Sequence, residues 1–224
     1  MSQRWRSEPE YLIKIDPSLG ILGVLLEPMT VITKALEQVY MAGQRAFWEP
    51  RTALVTGAGP IGLLAALRLK ANNLDVHVLD RAETGPKADL VRALGGTYHS
   101  GRVTELDFEP DVIVECTGVG AVIADSIQQV GSGGILCLTG IGAGGAATGA
   151  VASVAAQVVL KNNLIVGSVN ANKRHWYKAG QNLARSDRAW LSRVITRRVP
   201  PENFQQALER QPDDVKVIIQ FSEI

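Results

Sequence analysis

Cysteine, histidine, net charge and long apolar runs are all scarce in this chain, and each shortage removes a class of function. The 23 basic and 22 acidic residues leave a formal charge of +1, which gives no global field for nucleic acid or an anionic membrane. No run of about eighteen apolar residues is uninterrupted, and Arg4, Arg6, Glu8 and Glu10 stand where a secretory signal needs an apolar centre. A soluble cytoplasmic protein, with no nucleic-acid or membrane partner, is the expectation. The two cysteines, Cys116 and Cys137, supply neither a disulfide framework nor a four-cysteine zinc lobe, and each lies in an apolar run suited to a buried strand. His77, His99 and His175 occur singly, without a Cys/His pair at ligand spacing, so ordinary core or surface roles suit them better than metal ligation.

What is present is a glycine pattern in a specific context. Gly57-Ala58-Gly59-Pro60-Ile61-Gly62 follows the apolar run Ala53 to Thr56 and opens a helix-patterned stretch. A second apolar run, Val76 to Leu79, ends at Asp80, eighteen positions beyond Gly62. In a strand-turn-helix of this kind Gly57 makes the tight turn, Gly59 lets backbone approach a pyrophosphate, and Gly62 lets the helix lie against the strand. The free N–H groups of the helix start then face phosphate, and Pro60 fits a position that needs no N–H. The bare glycine pattern is common. The strand before it, the helix after it and the acidic residue at the next strand end make it a dinucleotide fingerprint.

Further apolar runs, Asp111 to Glu115, Gly134 to Thr139 and Leu164 to Val169, alternate with helical spacing at Lys87 to Leu94, Val122 to Val130 and Ala150 to Leu160. Such alternation predicts an α/β fold, a doubly wound parallel sheet of Rossmann type with a ligand crevice at the carboxyl ends of its strands. That rim collects Gly57, Asp80, Thr117, Gly118 and the stretch Thr139 to Gly145, including Ile141; the glycines after Thr139 suit a mobile loop beside a cofactor. An amphipathic helix from Met29 to Ala46, preceded by Glu27-Pro28, covers one sheet face. The chain ends fit less well. Tyr11 to Ile15 and Val215 to Gln220 read as strands, yet neither has an evident local partner.

These residues together resemble the medium-chain, zinc-dependent dehydrogenases, and among them the glucose 1-dehydrogenase type. The resemblance is carried by Gly23 to Pro28 with the Lys34-Ala35 helix, the fingerprint from Ala53 to Leu63, Val114-Glu-Cys-Thr-Gly118, and Gly167-Ser-Val-Asn170 with His175 and Trp176. It implies hydride transfer between an aldose and NAD or NADP, with a catalytic zinc held mainly by an amino-terminal GroES-like domain that this sequence does not encode in full. On that reading residues 1–26 are a remnant of the catalytic domain, 27–170 the nucleotide-binding domain and 171–224 a segment returning to the catalytic domain. Thr117 and Gly118 would border the nicotinamide ribose. Asn170 would border the nicotinamide and the sugar, or else be a buried amide anchoring its loop. Glu27 would be a remnant metal carboxylate, or else a helix-start carboxylate favoured by the dipole. Asp80 can accept from both adenosine ribose hydroxyls and disfavours a 2′-phosphate, whereas Arg81 can stack on adenine or pair with that phosphate. NAD binding without zinc, and with little glucose oxidation by the chain alone, is therefore expected. Relatives self-associate, so a homo-oligomer or a complementary catalytic chain is implied as partner. A non-catalytic NAD(H)-binding module and a zinc-independent quinone reductase are the competing readings.

Overall fold

Strands buried on both faces are built from nearly continuous apolar runs, and this chain supplies them in series. The computed structural model describes residues 6–142 and 157–222. Its strands are β1 (Thr52–Thr56), β2 (Asp75–Leu79), β3 (Thr97–His99), β4 (Val112–Glu115), β5 (Ile135–Leu138) and β6 (Leu164–Gly167). They form a six-stranded sheet in the order β3-β2-β1-β4-β5-β6, every neighbouring pair parallel. The Rossmann-like expectation holds. β3 is an addition at the edge, too short and too polar to register as an apolar run.

Alternation of side chains across the strands divides the core in two. Ala53, Val55, Val76, Val78, Val112 and Val114 face one layer, which holds α1 (Leu26–Gly43) and α2 (Pro60–Ala71). Leu54, Leu79, Ile113 and Leu136 face the other, with Ile127 of α4 (Gly120–Gln129). The helix α3 (Pro86–Ala93) completes the crossover from β2 to β3. Of the expected helix from Ala150 to Leu160, residues 157–160 are helical and the remainder lies outside the described residues. α1 starts earlier than its apolar spacing suggests, because Pro28 is tolerated in a first turn, where its missing N–H has no helical acceptor. Residues 17–43 have the length and apolarity of a membrane span, but Met29, Ile32, Ala35 and Val39 are wholly buried, as a core helix requires. Cys137 is buried and Cys116 half-buried, and burial pushes both thiols up to about 12.

The two chain ends correct the sequence expectation in different ways. Tyr11 to Ile15 is not a strand: Pro9–Tyr11 forms a 3-10 turn and the residues after it run without sheet pairing. An isolated strand has no ladder to join and cannot hold its own backbone in place. Residues 215–220, in contrast, do find a partner within the chain. After α5 (Lys173–Ala184) and α6 (Arg188–Val194), β7 (Ile195–Val199) pairs parallel with β8 (Lys216–Ile219). β7 was hidden because two arginines interrupt it. Arg197 nevertheless organises the connection through α7 (Phe204–Leu208), donating to both Asp214 carboxylate oxygens at 3.1 and 2.7 Å and to the carbonyls of Gln206 and Glu209 at 2.6 and 2.8 Å. Trp190 anchors this unit to the sheet layer by donating from Nε1 to the Leu90 carbonyl at 2.8 Å.

α1 and α5 are joined by a carboxylate that collects three cations or donors. Glu37 accepts from Arg174 at 2.6 and 3.0 Å, from Lys178 at 2.9 Å and from His175 Nε2 at 3.3 Å. The backbone N–H of Asn172 donates to His175 Nδ1, which places the ring proton on Nε2, facing Glu37. The Lys178 ammonium, followed by His175 and Arg174, outweighs burial and lowers the Glu37 carboxyl from 4.5 to about 2. A carboxyl depressed in the fold stabilises above its unfolded value and loses that contribution as pH falls toward the folded one. Stability should thus decline from near pH 4.5 downward partly through Glu37. Glu37→Gln should cost about 1 kcal/mol at neutral pH, because Arg174 and Lys178 are solvent-exposed, and should flatten the acid limb of the melting curve. An acid limb identical to wild type would show that the clamp is not energetically coupled to folding.

Candidate functional site

The rim at the carboxyl ends of β1, β2, β4 and β5 begins with the glycine turn. Gly57 adopts φ +91°, a conformation that a side chain disfavours, and a Cβ there would sit 3.0 Å from Thr117 Cγ2. Gly62 has a different constraint: a Cβ on it would overlap the carbonyl oxygen of Gly57. Gly59, which caps α2, faces open space, with nothing within 4 Å of a built Cβ. Three glycines therefore meet three separate demands, for turn, open approach and close helix packing. α2 starts at Pro60 and leaves the amides of Ile61 and Gly62 as orphan donors at a positive helix end.

Asp80 sits beside this turn, and it is more engaged than the sequence suggests. Its Oδ2 accepts from the Ala58 N–H at 2.7 Å and from Lys87 Nζ at 3.1 Å, and its Oδ1 accepts from the Arg81 N–H at 2.7 Å. Burial raises the carboxyl, but the Ala58 amide, Lys87 and the Arg81 amide together outweigh it and hold Asp80 below the usual value. The Ala58 amide is committed to this bond, so Ala58 links turn to carboxylate. Lys87, on the first turn of α3, is a site residue that sequence reading missed. The available signal was its place at a helix start just after the acidic strand end. Arg81 is exposed at the rim, and Tyr98 donates to the Ala82 carbonyl at 2.6 Å to close the loop behind it.

A second missed residue organises the rim's other half. Glu115 is fully buried at the end of β4. It accepts from the Thr117 N–H at 2.7 Å, the Thr117 hydroxyl, the Gly118 N–H at 3.1 Å and the Thr56 hydroxyl at 3.4 Å. Its own carbonyl accepts from the N–H groups of Thr139 and Gly140 at 2.9 and 3.0 Å and from the Thr139 hydroxyl at 2.9 Å. Thr117, Gly118 and Thr139 are thus brought together, with Ile141 85% exposed above them. The remainder of the expected loop, Gly144 and Gly145 among it, lies outside the described residues.

Asn170, after β6, is exposed and adopts φ +62°, so its amide is not the buried anchor that was one reading. Its loop is held instead by Lys34 Nζ, which donates to the Val169 carbonyl at 2.7 Å, and by the Asn172 side chain, which caps α5. Glu27 is exposed in the first turn of α1. It lines a cavity of about 940 Å³ together with Tyr11, Val24, Ala171, Lys173 and Trp176, so Glu27 and the segment after Asn170 share one cleft. No group of three His, Cys, Asp or Glu side chains converges among the described residues; His77 and His99 touch each other at 2.8 Å, while His175 serves Glu37. A smaller cavity of about 330 Å³ separates Gly59, Pro60 and Lys87 from Leu208, Arg210 and Val215, so the carboxyl-terminal unit walls the glycine turn.

A parallel sheet of this order with a glycine turn and an acidic β2 end defines a Rossmann domain of dinucleotide-binding type. The chain belongs to the medium-chain dehydrogenase family described as "Glucose dehydrogenase C-terminus", whose model matches residues 20–221. Glucose 1-dehydrogenase 2 of Vulcanisaeta moutnovskia is 36% identical over 220 residues, covering 96% of this chain and 63% of the relative. Glucose 1-dehydrogenase of Methanocella arvoryzae is 35% identical over 232 residues, covering 99% and 65%. The solved structure of Haloferax mediterranei glucose dehydrogenase in complex with NADP, Zn and gluconolactone superposes with a TM-score of 0.90 at 28% identity, over 97% of this chain and 64% of that one. The chain thus spans slightly under two thirds of these relatives.

The glycine contacts predict a contrast between neighbours. Gly62→Ala should lower stability by about 1–3 kcal/mol, since α2 must move off β1 to admit a methyl group. Gly59→Ala should stay within about 0.5 kcal/mol of wild type. Urea unfolding of both variants measures the difference; equal midpoints would refute the packing role of Gly62.

Proposed function

We propose that this chain is the nicotinamide-dinucleotide-binding part of an oxidoreductase of glucose 1-dehydrogenase type, acting on an aldose with substrate-side residues supplied from outside it. The observation that carries the reading is the glycine turn: a Cβ at Gly62 would overlap the Gly57 carbonyl, so the start of α2 lies close against the strand end, while the space over Gly59 is open. The residues fit a dinucleotide. The amides of Gly59, Ile61 and Gly62 would hold the diphosphate, with Gly57 shaping the turn and Pro60 opening the helix. Asp80 and Lys87 would hold the adenosine ribose, and Arg81 would lie by the adenine. Thr117, Gly118, Thr139, Ile141 and Asn170 would flank the nicotinamide half. Hydride acceptance and return is the chemistry the dinucleotide supplies when bound.

Asp80 already accepts three hydrogen bonds, which in this arrangement leaves Oδ1 capacity for about one ribose hydroxyl rather than two. Lys87 keeps the carboxylate ionised but offsets its field with an opposite charge and adds a donor, so discrimination against a 2′-phosphate should be moderate, with NAD(H) preferred. Residues 27–170 form the nucleotide-binding domain on this reading. Residues 1–26 and 171–224 border the large cleft, and their open apolar faces, with Tyr11 72% and Leu12 43% exposed, support a catalytic-domain remnant and its returning segment. A zinc ligand set is not assembled among the described residues, and Glu27 alone does not fit one. Glu27 would face the substrate half across the cleft.

Fluorescence titration of the purified chain should show NADH binding several-fold tighter than NADPH, and Asp80→Asn should erase that preference by about tenfold or less. The same chain should turn over glucose only when the amino-terminal third of a relative is supplied. Equal cofactor affinities would remove Asp80 as discriminator, and rapid glucose oxidation by the chain alone would remove the need for a complementary half. β6 is one of the two outer strands of the sheet, with Ile165 exposed in it and Val169 exposed just after it, and such an edge favours strand addition, here by a second copy. Light scattering should give a dimer or larger species that Ile165→Lys dissociates, and a monomeric wild type would refute the edge contact.

A further inference from the structure

The described rim contains one carboxylate that no role above uses for a ligand. Glu115 is wholly buried, yet its side chain and its carbonyl together bind three separate segments: Thr56 at the end of β1, Thr117 and Gly118 after β4, and Thr139 with Gly140 after β5. Backbone N–H groups donating to a carboxylate are charge-assisted bonds, stronger than neutral ones and better fixed in direction. They hold Gly118 at φ +67°.

The two loops so held leave each other no clearance. A Cβ at Gly118 would come within 2.7 Å of the Ile141 carbonyl carbon and closer still to the Gly142 amide nitrogen. A Cβ at Gly140 would overlap the Gly118 amide and lie 2.8 Å from the Thr117 carbonyl carbon. Backbone packs on backbone here, so a shift of the Thr117-Gly118 turn must move Ile141 as well. The glycine turn continues β1 and adjoins this wall at Thr117, but it is fastened on its far side, toward Asp80 at the end of β2, by bonds of its own: Gly57 N–H to the Leu79 carbonyl at 2.7 Å and Ala58 N–H to Asp80.

We infer that Glu115 is the positioning residue for the nicotinamide half of the site: its buried carboxylate and carbonyl lock the loops after β4 and β5 into one rigid wall, while Asp80 and the Leu79 carbonyl fasten the adenine half. This rests on the dinucleotide reading above. Its consequence is a split between ligands. NADH spans both halves, whereas ADP uses only the adenine ribose and diphosphate side.

Calorimetric titration of wild type, Glu115→Ala, Glu115→Gln and Gly118→Ala with NADH and with ADP tests the inference. Glu115→Ala should weaken NADH by about tenfold or more while ADP changes less than about threefold, as expected for loss of hydrogen bonds that order only one half. Glu115→Gln keeps one acceptor oxygen and should restore part of the NADH affinity. Gly118→Ala, which disturbs the same wall from the loop side while leaving the Glu115 side chain in place, should reproduce the selective loss. Parallel loss of NADH and ADP in folded Glu115→Gln and Gly118→Ala would mean a general structural role and overturn the inference, as would unchanged NADH affinity. Wild type that binds neither ligand would instead overturn the dinucleotide reading itself.

Discussion

The close approach of α2 to β1 is the constraint on which the rest of the site depends. Gly62 has no side chain, so the helix start lies against the Gly57 carbonyl and its orphan amides open directly onto the strand ends. Move the helix outward by the width of a methyl group and the donors no longer line the rim. The apolar runs of β1, β2, β4 and β5, buried on both faces, make the platform stiff enough for that proximity to persist.

From this platform the rim divides into two assemblies. On one side Asp80 couples the glycine turn, Lys87 and Arg81 into a charged cluster beside the start of α2. On the other Glu115 draws the loops after β4 and β5 into backbone contact. Both use a carboxylate at a strand end to hold backbone N–H groups, one partly open to ligand and one closed. The loop bearing Asn170 depends on neither. It hangs on Lys34 and on the Asn172 cap, next to the Glu37 clamp between α1 and α5, so the face toward the large cleft is set by the helical layer.

Sequence reading found what periodicity and glycine spacing encode. Five sheet strands are visible as apolar runs, and the fingerprint with Asp80 follows from a strand-turn-helix context that leaves few alternatives. It did not find β3 or β7, because one has three residues and the other carries Arg197 and Arg198 in an edge position that only the pairing with β8 rationalises. Tyr11 to Ile15 shows the reverse error: β-prone residues form no strand when no partner edge reaches them. Lys87 and Glu115 were invisible for a common reason. Each acts through a contact across strands or loops, Lys87 on Asp80 and Glu115 on Thr56 and Gly140, and linear spacing does not report such contacts. Asn170 was picked out by resemblance alone, and its left-handed backbone became evident only in three dimensions.

The most direct test of the central claim is an amide chemical-shift map of the chain titrated with NADH. If the helix start and the two strand-end assemblies form the site, the largest perturbations should fall on Gly59, Ile61, Gly62, Arg81, Thr117 and Gly118, with the carboxyl half of α5 little affected. Saturating NADH that leaves the Gly59 to Gly62 amides unshifted, or that perturbs only residues remote from the strand ends, would contradict the account.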